Sequence, residues 1–329
     1  MHRIVVAAIA AALSITGLFA APALATTNPP PGHEWQVQAG GPPIFDLAGP
    51  RGAGNRFYPE AIAIHQGDSI KFAPFGPHTV TYNRPPVPVF ALFPPSGGTT
   101  LADPSATLNS GFIEGPPFTF TVTFAATLPA GSYKFICSLH FGMTEMVDVL
   151  PIGATLPKTD ADYAAIAQAA ITRDLASLDR INAEATENFE DEDGSPKVLV
   201  GAGNARVSNI RFFPASVTVR VGHSITFLKT QDPTEPHTVT FGNAFDPNDP
   251  LAEFRASGGR TYDGTGVANS GWLSTREQFS FYHLDGLGFP VAVTRYRLKF
   301  TSAGDFPFVC AIHDGAGMVG IVHVVRDED

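Results

Sequence analysis

The sequence predicts an all-β chain: two tandem Greek-key β-sandwich domains joined by an α-helical linker. Three observations carry this. Short runs of alternating polar and apolar residues are punctuated by turn residues, with 32 Gly and 29 Pro in 329 residues. No pattern of strands alternating with helices occurs, which excludes a parallel α/β sheet. The halves also repeat. Arg56-Phe-Tyr-Pro-Glu-Ala-Ile opens a strand, Gly turn and strand over 56–72, and Arg211-Phe-Phe-Pro-Ala-Ser-Val opens the same over 211–227, without a gap.

Residues 1–25 read as a secretory signal. Arg3 gives the positive start, Ile4 to Ala20 is apolar, and Ala23-Leu-Ala25 is a small-x-small cleavage site. The remainder is therefore expected to be exported, periplasmic or extracellular, with no stable membrane span after signal removal. Residues 26–152 form the first domain. Trp35 to Ala39 is a short opening strand, and Ala61 to His65 alternates within 56–72. A loop rich in Pro and Gly runs from Arg84 to Pro117. Phe118 to Phe124 and Gly131 to Cys137 are strands, and Met146 to Leu150 closes the domain.

Residues 153–196 change character. Thr159-Asp-Ala-Asp162 resembles a capping box. Tyr163, Ile166, Ala170, Ile171, Leu175, Leu178 and Ile181 then recur at helical spacing. This predicts an amphipathic helix of ~25 residues, roughly 38 Å long. Its apolar stripe is expected to pack on a domain, with Asp174 and Asp179 on the polar face. Glu190 to Asp193 reads as a solvated acidic linker.

Residues 197–329 form the second domain. Ser257-Gly-Gly repeats Ser96-Gly-Gly, Asn269-Ser-Gly-Trp272 repeats Asn109-Ser-Gly-Phe112, and Gly304 to Cys310 repeats Gly131 to Cys137. The second copy carries an insertion around Phe279 to Val293.

Charged residues are 16% and the net charge is -10, which argues against nucleic acid as a partner. The only cysteines, Cys137 and Cys310, stand at matching positions of the two repeats. A bridge between them would have to join separate domains, so they are better read as ligands. Apart from Met1, the methionines are Met143, Met146 and Met318, and all follow a Cys-x2-His. Cys137-Ser-Leu-His140-Phe-Gly-Met143 and Cys310-Ala-Ile-His313-Asp-Gly-Ala-Gly-Met318 each offer a thiolate, an imidazole and a thioether. A second imidazole stands upstream in Pro77-His78-Thr-Val-Thr and Pro236-His237-Thr-Val-Thr. Soft sulfur with imidazole is the donor set of a type 1 copper site, so the chain is expected to bind two copper ions. Met146 competes with Met143, which is preferred because Met146 already enters a strand. His33, His65, His223, His283 and His323 have no counterpart in the other repeat and read as structural.

With these residues in place, each repeat resembles the cupredoxins, the plastocyanin, amicyanin and azurin group of blue-copper proteins. The second-domain spacing is similar to that of plastocyanin, and the shorter first-domain spacing to that of amicyanin. The resemblance implies that His78, Cys137, His140 and Met143 bind one copper and that His237, Cys310, His313 and Met318 bind the other, each Met as a long axial ligand. It further implies that the His after each Cys reaches the surface through an apolar patch and passes electrons. One departure is Thr79 and Thr238, where plastocyanins often carry Asn, which leaves the hydrogen bonding around the thiolate open.

An electron carrier without catalytic residues is the expected function, with a redox protein as partner, a basic one given the net charge of -10. A copper-holding or cell-surface binding module would use the same ligands. Two-domain multicopper oxidases and copper nitrite reductases need His-x-His pairs and a His beside the blue-copper Cys. This chain has no His-x-His, and Ile136 and Val309 precede its cysteines.

Overall fold

The computed structural model describes residues 32–41, 44–46, 49–185 and 194–326. The signal segment and the acidic run at 190–193 lie outside the described residues. The described chain is mostly β, with one long helix between two β-rich regions.

Each repeat is a pair of sheets, and the strand order is the same in both copies. One sheet of the first repeat runs Phe57–Tyr58, Glu34–Ala39, Ser69–Pro74, Phe120–Phe124, Thr100–Leu101. Its counterpart runs Val207–Phe213, Lys197–Gly203, Ser224–Leu228, Arg295–Phe300, Thr261–Tyr262. The other first-repeat sheet is Leu108–Asn109, Thr81–Tyr82, Gly131–Ile136, Thr144–Leu150, Ala61–His65. It is matched by Ala268–Asn269, Thr240–Phe241, Gly304–Val309, Val319–Val325, Ser216–Arg220. Alternation turns one face of each strand inward. Ile70, Phe72, Phe124, Phe135 and Val147 fill the first core, and Ile225, Phe227, Phe241, Phe300 and Phe308 the second. The abundant Phe serves these two cores.

The sheets are mixed rather than purely antiparallel. Glu34–Ala39 runs parallel to Ser69–Pro74, and Ala61–His65 parallel to Thr144–Leu150. Two local hydrophobic runs cannot announce which way distant strands will pair. The ligand-bearing hairpin, Gly131–Ile136 with Thr144–Leu150, is antiparallel, as is Gly304–Val309 with Val319–Val325.

The helix α1 spans Asp160–Ala185. Thr159 and Asp162 form the anticipated box: Asp162 N donates to Thr159 Oγ1 at 3.3 Å, and Thr159 N to Asp162 Oδ2 at 2.8 Å. Tyr163, Ala170 and Leu178 face inward, while Ile166 is exposed. Asp174 is not on the polar face. It is buried, accepting from Tyr58 Oη at 2.7 Å and pairing with Arg56 at 3.4 Å. Periodicity alone could not show that a first-repeat Arg and Tyr would reach the helix.

The repeats share structure. Ile44–Asp46 and Gly49–Gly54, from the first repeat, extend the second repeat's sheet through Val207–Phe213. The insertion begins inside a second helix, α2 (Arg276–Tyr282), which the sequence reading did not anticipate. Thr275 and Gln278 cap it reciprocally, the signature that could have revealed it. Its surroundings form an aromatic cluster that receives Phe90 from the first repeat, stacked on Phe254 at 5.7 Å and edge-on to Trp272 and Phe289.

Candidate metal centres

The strand Gly131–Ile136 delivers Cys137 at its end, and Gly304–Val309 delivers Cys310. In each copy a backbone bond closes the following loop. Cys137 N donates to Met143 O at 3.1 Å and Cys310 N to Met318 O at 3.0 Å. Met143 N and Met318 N then donate to His140 O and His313 O, each at 3.1 Å. Two extra residues are absorbed in the second loop by a single 3-10 turn, Asp314–Ala316. Met143 and Met318 are thus backbone equivalents and are both buried, at 2% and 0% exposure. Met146 instead bonds Glu60 along the sheet and is 36% exposed.

The upstream histidines are fixed by backbone pairing: His78 opposite Ile113, and His237 opposite Leu273. Glycine lets the chain pass close over their outer nitrogens. Gly40 and Gly201 have φ of +85° and +77°, and a Cβ there would stand 2.1 Å from His78 Nε2 and 2.3 Å from His237 Nε2.

The expected donors converge. Cys137 Sγ lies 3.7 Å from His78 Nδ1 and 3.3 Å from His140 Nδ1. Cys310 Sγ lies 3.8 Å from His237 Nδ1 and 3.5 Å from His313 Nδ1. Donors bonded to one ion at ~2.0–2.3 Å stand roughly 3.5 Å apart, so each trio fits a single soft metal ion. These trios are the only such groupings of metal-binding side chains among the described residues. Both cysteines are free and fully buried.

Thr79 and Thr238 supply hydrogen bonds around the two sulfurs. Thr79 N and Thr238 N point at the sulfurs, at 3.4 and 3.3 Å. Thr79 Oγ1 accepts from Ser138 N, and Thr238 Oγ1 from Ala311 N, both at 2.7 Å. Thr81 and Thr240 continue the chain to Asn109 Oδ1 and Asn269 Oδ1. Ser110 and Ser270 accept from Val80 N and Val239 N, both at 2.8 Å. The repeated Asn-Ser-Gly therefore anchors the strand that carries the upstream His.

Charge separates within the metal-free trios. Burial alone would raise the Cys310 thiol, but the neighbouring His313 and His237 bring it down to about 5. His313 is lifted to about 10 against burial, by the thiolate and by Glu235. Cys137 is likewise held well below its usual range and His140 well above.

The histidines after the cysteines do not open onto a surface patch as the resemblance implied. His140 and His313 side chains are only 7% and 11% exposed. Their outer nitrogens meet one carboxylate: His140 Nε2 is 3.0 Å from Glu235 Oε1, and His313 Nε2 is 3.6 Å from Glu235 Oε2. The second repeat covers the first ligand loop, with Tyr282 Oη donating to Leu139 O at 2.7 Å and Phe141 N to Thr234 O at 3.3 Å. His237 Nε2 meets the buried Asp232 Oδ2 at 3.0 Å, whereas His78 Nε2 meets only the Phe75 carbonyl at 3.1 Å. The sequence reading missed Asp232 and Glu235. Their signal was two acids just before a ligand His, in one copy only.

Three of the remaining histidines have partners outside the trios. His33 pairs with Asp160, His65 Nε2 meets Ala154 O, His323 pairs with Asp305, and His283 ends α2.

Residues 197–325 match the model of the copper-binding plastocyanin/azurin family. A mutant plastocyanin of fern, solved oxidised and reduced, is 25% identical over 39% of this chain and 99% of its own, with a TM-score of 0.23. The Cu(I) form of an amicyanin mutant is 18% identical over 43% of this chain and 89% of its own, with a TM-score of 0.24. Over residues 197–325 the chain is thus similar to the plastocyanin/azurin family of copper-binding proteins, the cupredoxins.

Proposed function

We propose that each repeat holds one type 1 copper and that the chain is an exported electron carrier. The observation that carries this reading is the repetition of one buried Cys-His-His trio with the same hydrogen bonds and the same Met-closed loop. His78, Cys137, His140 and Met143 would hold the first ion, and His237, Cys310, His313 and Met318 the second. Bound there, copper would supply a centre that takes up and returns one electron. The protein contributes the rest. Thr79 N and Thr238 N each point a donor at a thiolate, the paired strands fix the upstream imidazoles, and full burial of both sulfurs excludes water. Fixed donors need little rearrangement when charge changes. The export expectation rests on residues 1–25, and a basic redox protein remains the proposed partner on the strength of the net charge of -10.

Copper analysis with the visible spectrum of the oxidised protein tests this. Two coppers per chain are expected, with an intense thiolate-to-copper band that falls by about half in Cys137→Ser and in Cys310→Ser. A colourless copper-loaded protein would contradict the reading.

The low exposure of both outer histidines favours a second reading, a copper-holding module without redox turnover. Rapid exchange of electrons with a small basic redox protein would exclude it.

A further inference from the structure

A buried carboxylate stands between the two ligand sets. Glu235 is 4% exposed and lies in the second repeat, yet its Oε1 meets His140 of the first at 3.0 Å, while its Oε2 faces His313 of the second at 3.6 Å. The position is built. Asn55 Nδ2 donates to Oε1 at 3.2 Å, Glu235 N donates to Asp232 Oδ1 at 3.1 Å, and Gln278 Nε2 donates to Glu235 O at 3.3 Å. The first repeat has Gly76 where the second has Glu235, each two residues before its upstream His. One acid therefore serves two sites. Burying a carboxylate is costly for stability and an apolar side chain would fill the space more cheaply, so a structural role alone accounts poorly for it.

We propose that His140, Glu235 and His313 form the connection by which one electron passes between the two metal sites. The inference rests on the reading that each repeat holds copper. One site is oxidised as the other is reduced, and no atom, proton or covalent bond changes place. A path through two imidazole rings and a carboxylate in contact with both decays less steeply than one through unbonded space. Glu235 binds no metal; it acts as a positioning residue through the two rings.

The test uses the full copper-loaded chain, fully oxidised, given less than one electron per molecule by a fast pulse. The bands retained by Cys137→Ser and Cys310→Ser identify each site. In the native chain, redistribution between the bands should be independent of protein concentration. It should slow at least tenfold in Glu235→Leu and less in Glu235→Gln, which keeps one acceptor oxygen. Equal rates in all three, or a native rate proportional to concentration, would overturn the proposal.

A second readout needs no electron transfer. In the diamagnetic Cu(I) form, the Nε2 protons of His140 and His313 should exchange slowly with water, and both should shift in Glu235→Gln. Fast exchange at both rings in the native chain would overturn the connection, even should Glu235→Leu fail to fold. Absence of the blue bands from the native chain would instead remove the two-copper reading.

Discussion

In the metal-free chain at neutral pH, Cys310 is a thiolate and the proton sits on His313, since their values are about 5 and about 10. A metal must therefore displace the imidazolium proton, because the thiol proton is already gone. Copper uptake at pH 7 should release a proton from His313, and affinity at this site should rise as pH is raised toward about 10, where His313 loses its proton unaided. Below about 5 the thiolate itself is lost and affinity should fall faster still. Calorimetry of Cys137→Ser in buffers of different ionisation enthalpy would count the protons; no release at pH 7 would contradict the assignment. Asp232 adds a difference between the sites. A carboxylate on His237 Nε2 makes that ring a stronger donor than a carbonyl makes His78, which favours the oxidised metal. The second site should have the lower reduction potential. Asp232→Asn should narrow the gap and weaken copper binding there by about 10–100-fold, as redox and metal titrations of the Cys137→Ser background would show. The Cys and His residues of both trios could be named from the sequence because their chemistry is local, in Cys-x2-His and His-Thr-Val-Thr. Asp232, Glu235, Gly40 and Gly201 could not be, because each acts on a ring brought to it by folding.

At the scale of elements, strand alternation and Gly turns located Glu34–Ala39, Ala61–His65, Phe120–Phe124 and Gly131–Ile136 to within a few residues, and the capping pair Thr159 and Asp162 located the start of α1. What failed was partnership. Asp174 looks polar and outward on a helical wheel, but it is 8% exposed and holds Arg56 and Tyr58 from the first repeat. Asp174→Ala leaves those two groups without that carboxylate and should destabilise the fold by about 3 kcal/mol in chemical denaturation, without changing copper content. Loss of copper with no loss of stability would contradict the structural role of this residue. The insertion was visible as unmatched sequence and α2 had a capping signature in Thr275 and Gln278, but the place of Tyr282 over Leu139 depends on aromatic packing that has no period.

For the molecule as a whole, the likeness of the two halves, whose sheets share one strand order, was visible in the sequence, whereas the contacts between them were not. The hairpin strands Ile44–Asp46 and Gly49–Gly54 join the neighbouring sheet, Phe90 enters the other repeat's aromatic cluster, and Asn55 donates to Ser208, Thr234 and Glu235. Residues of the segments 84–117 and 243–293 in part hold the repeats together. Consequently the two ligand sets face each other instead of opening to opposite surfaces. The most direct test is an anomalous difference map at the copper edge from crystals of the copper-loaded chain. The account predicts two peaks of similar height, one within His78, Cys137 and His140 and one within His237, Cys310 and His313, with Glu235 between them. A single peak, or a peak bound by Glu235 and the outer nitrogens of His140 and His313, would contradict it.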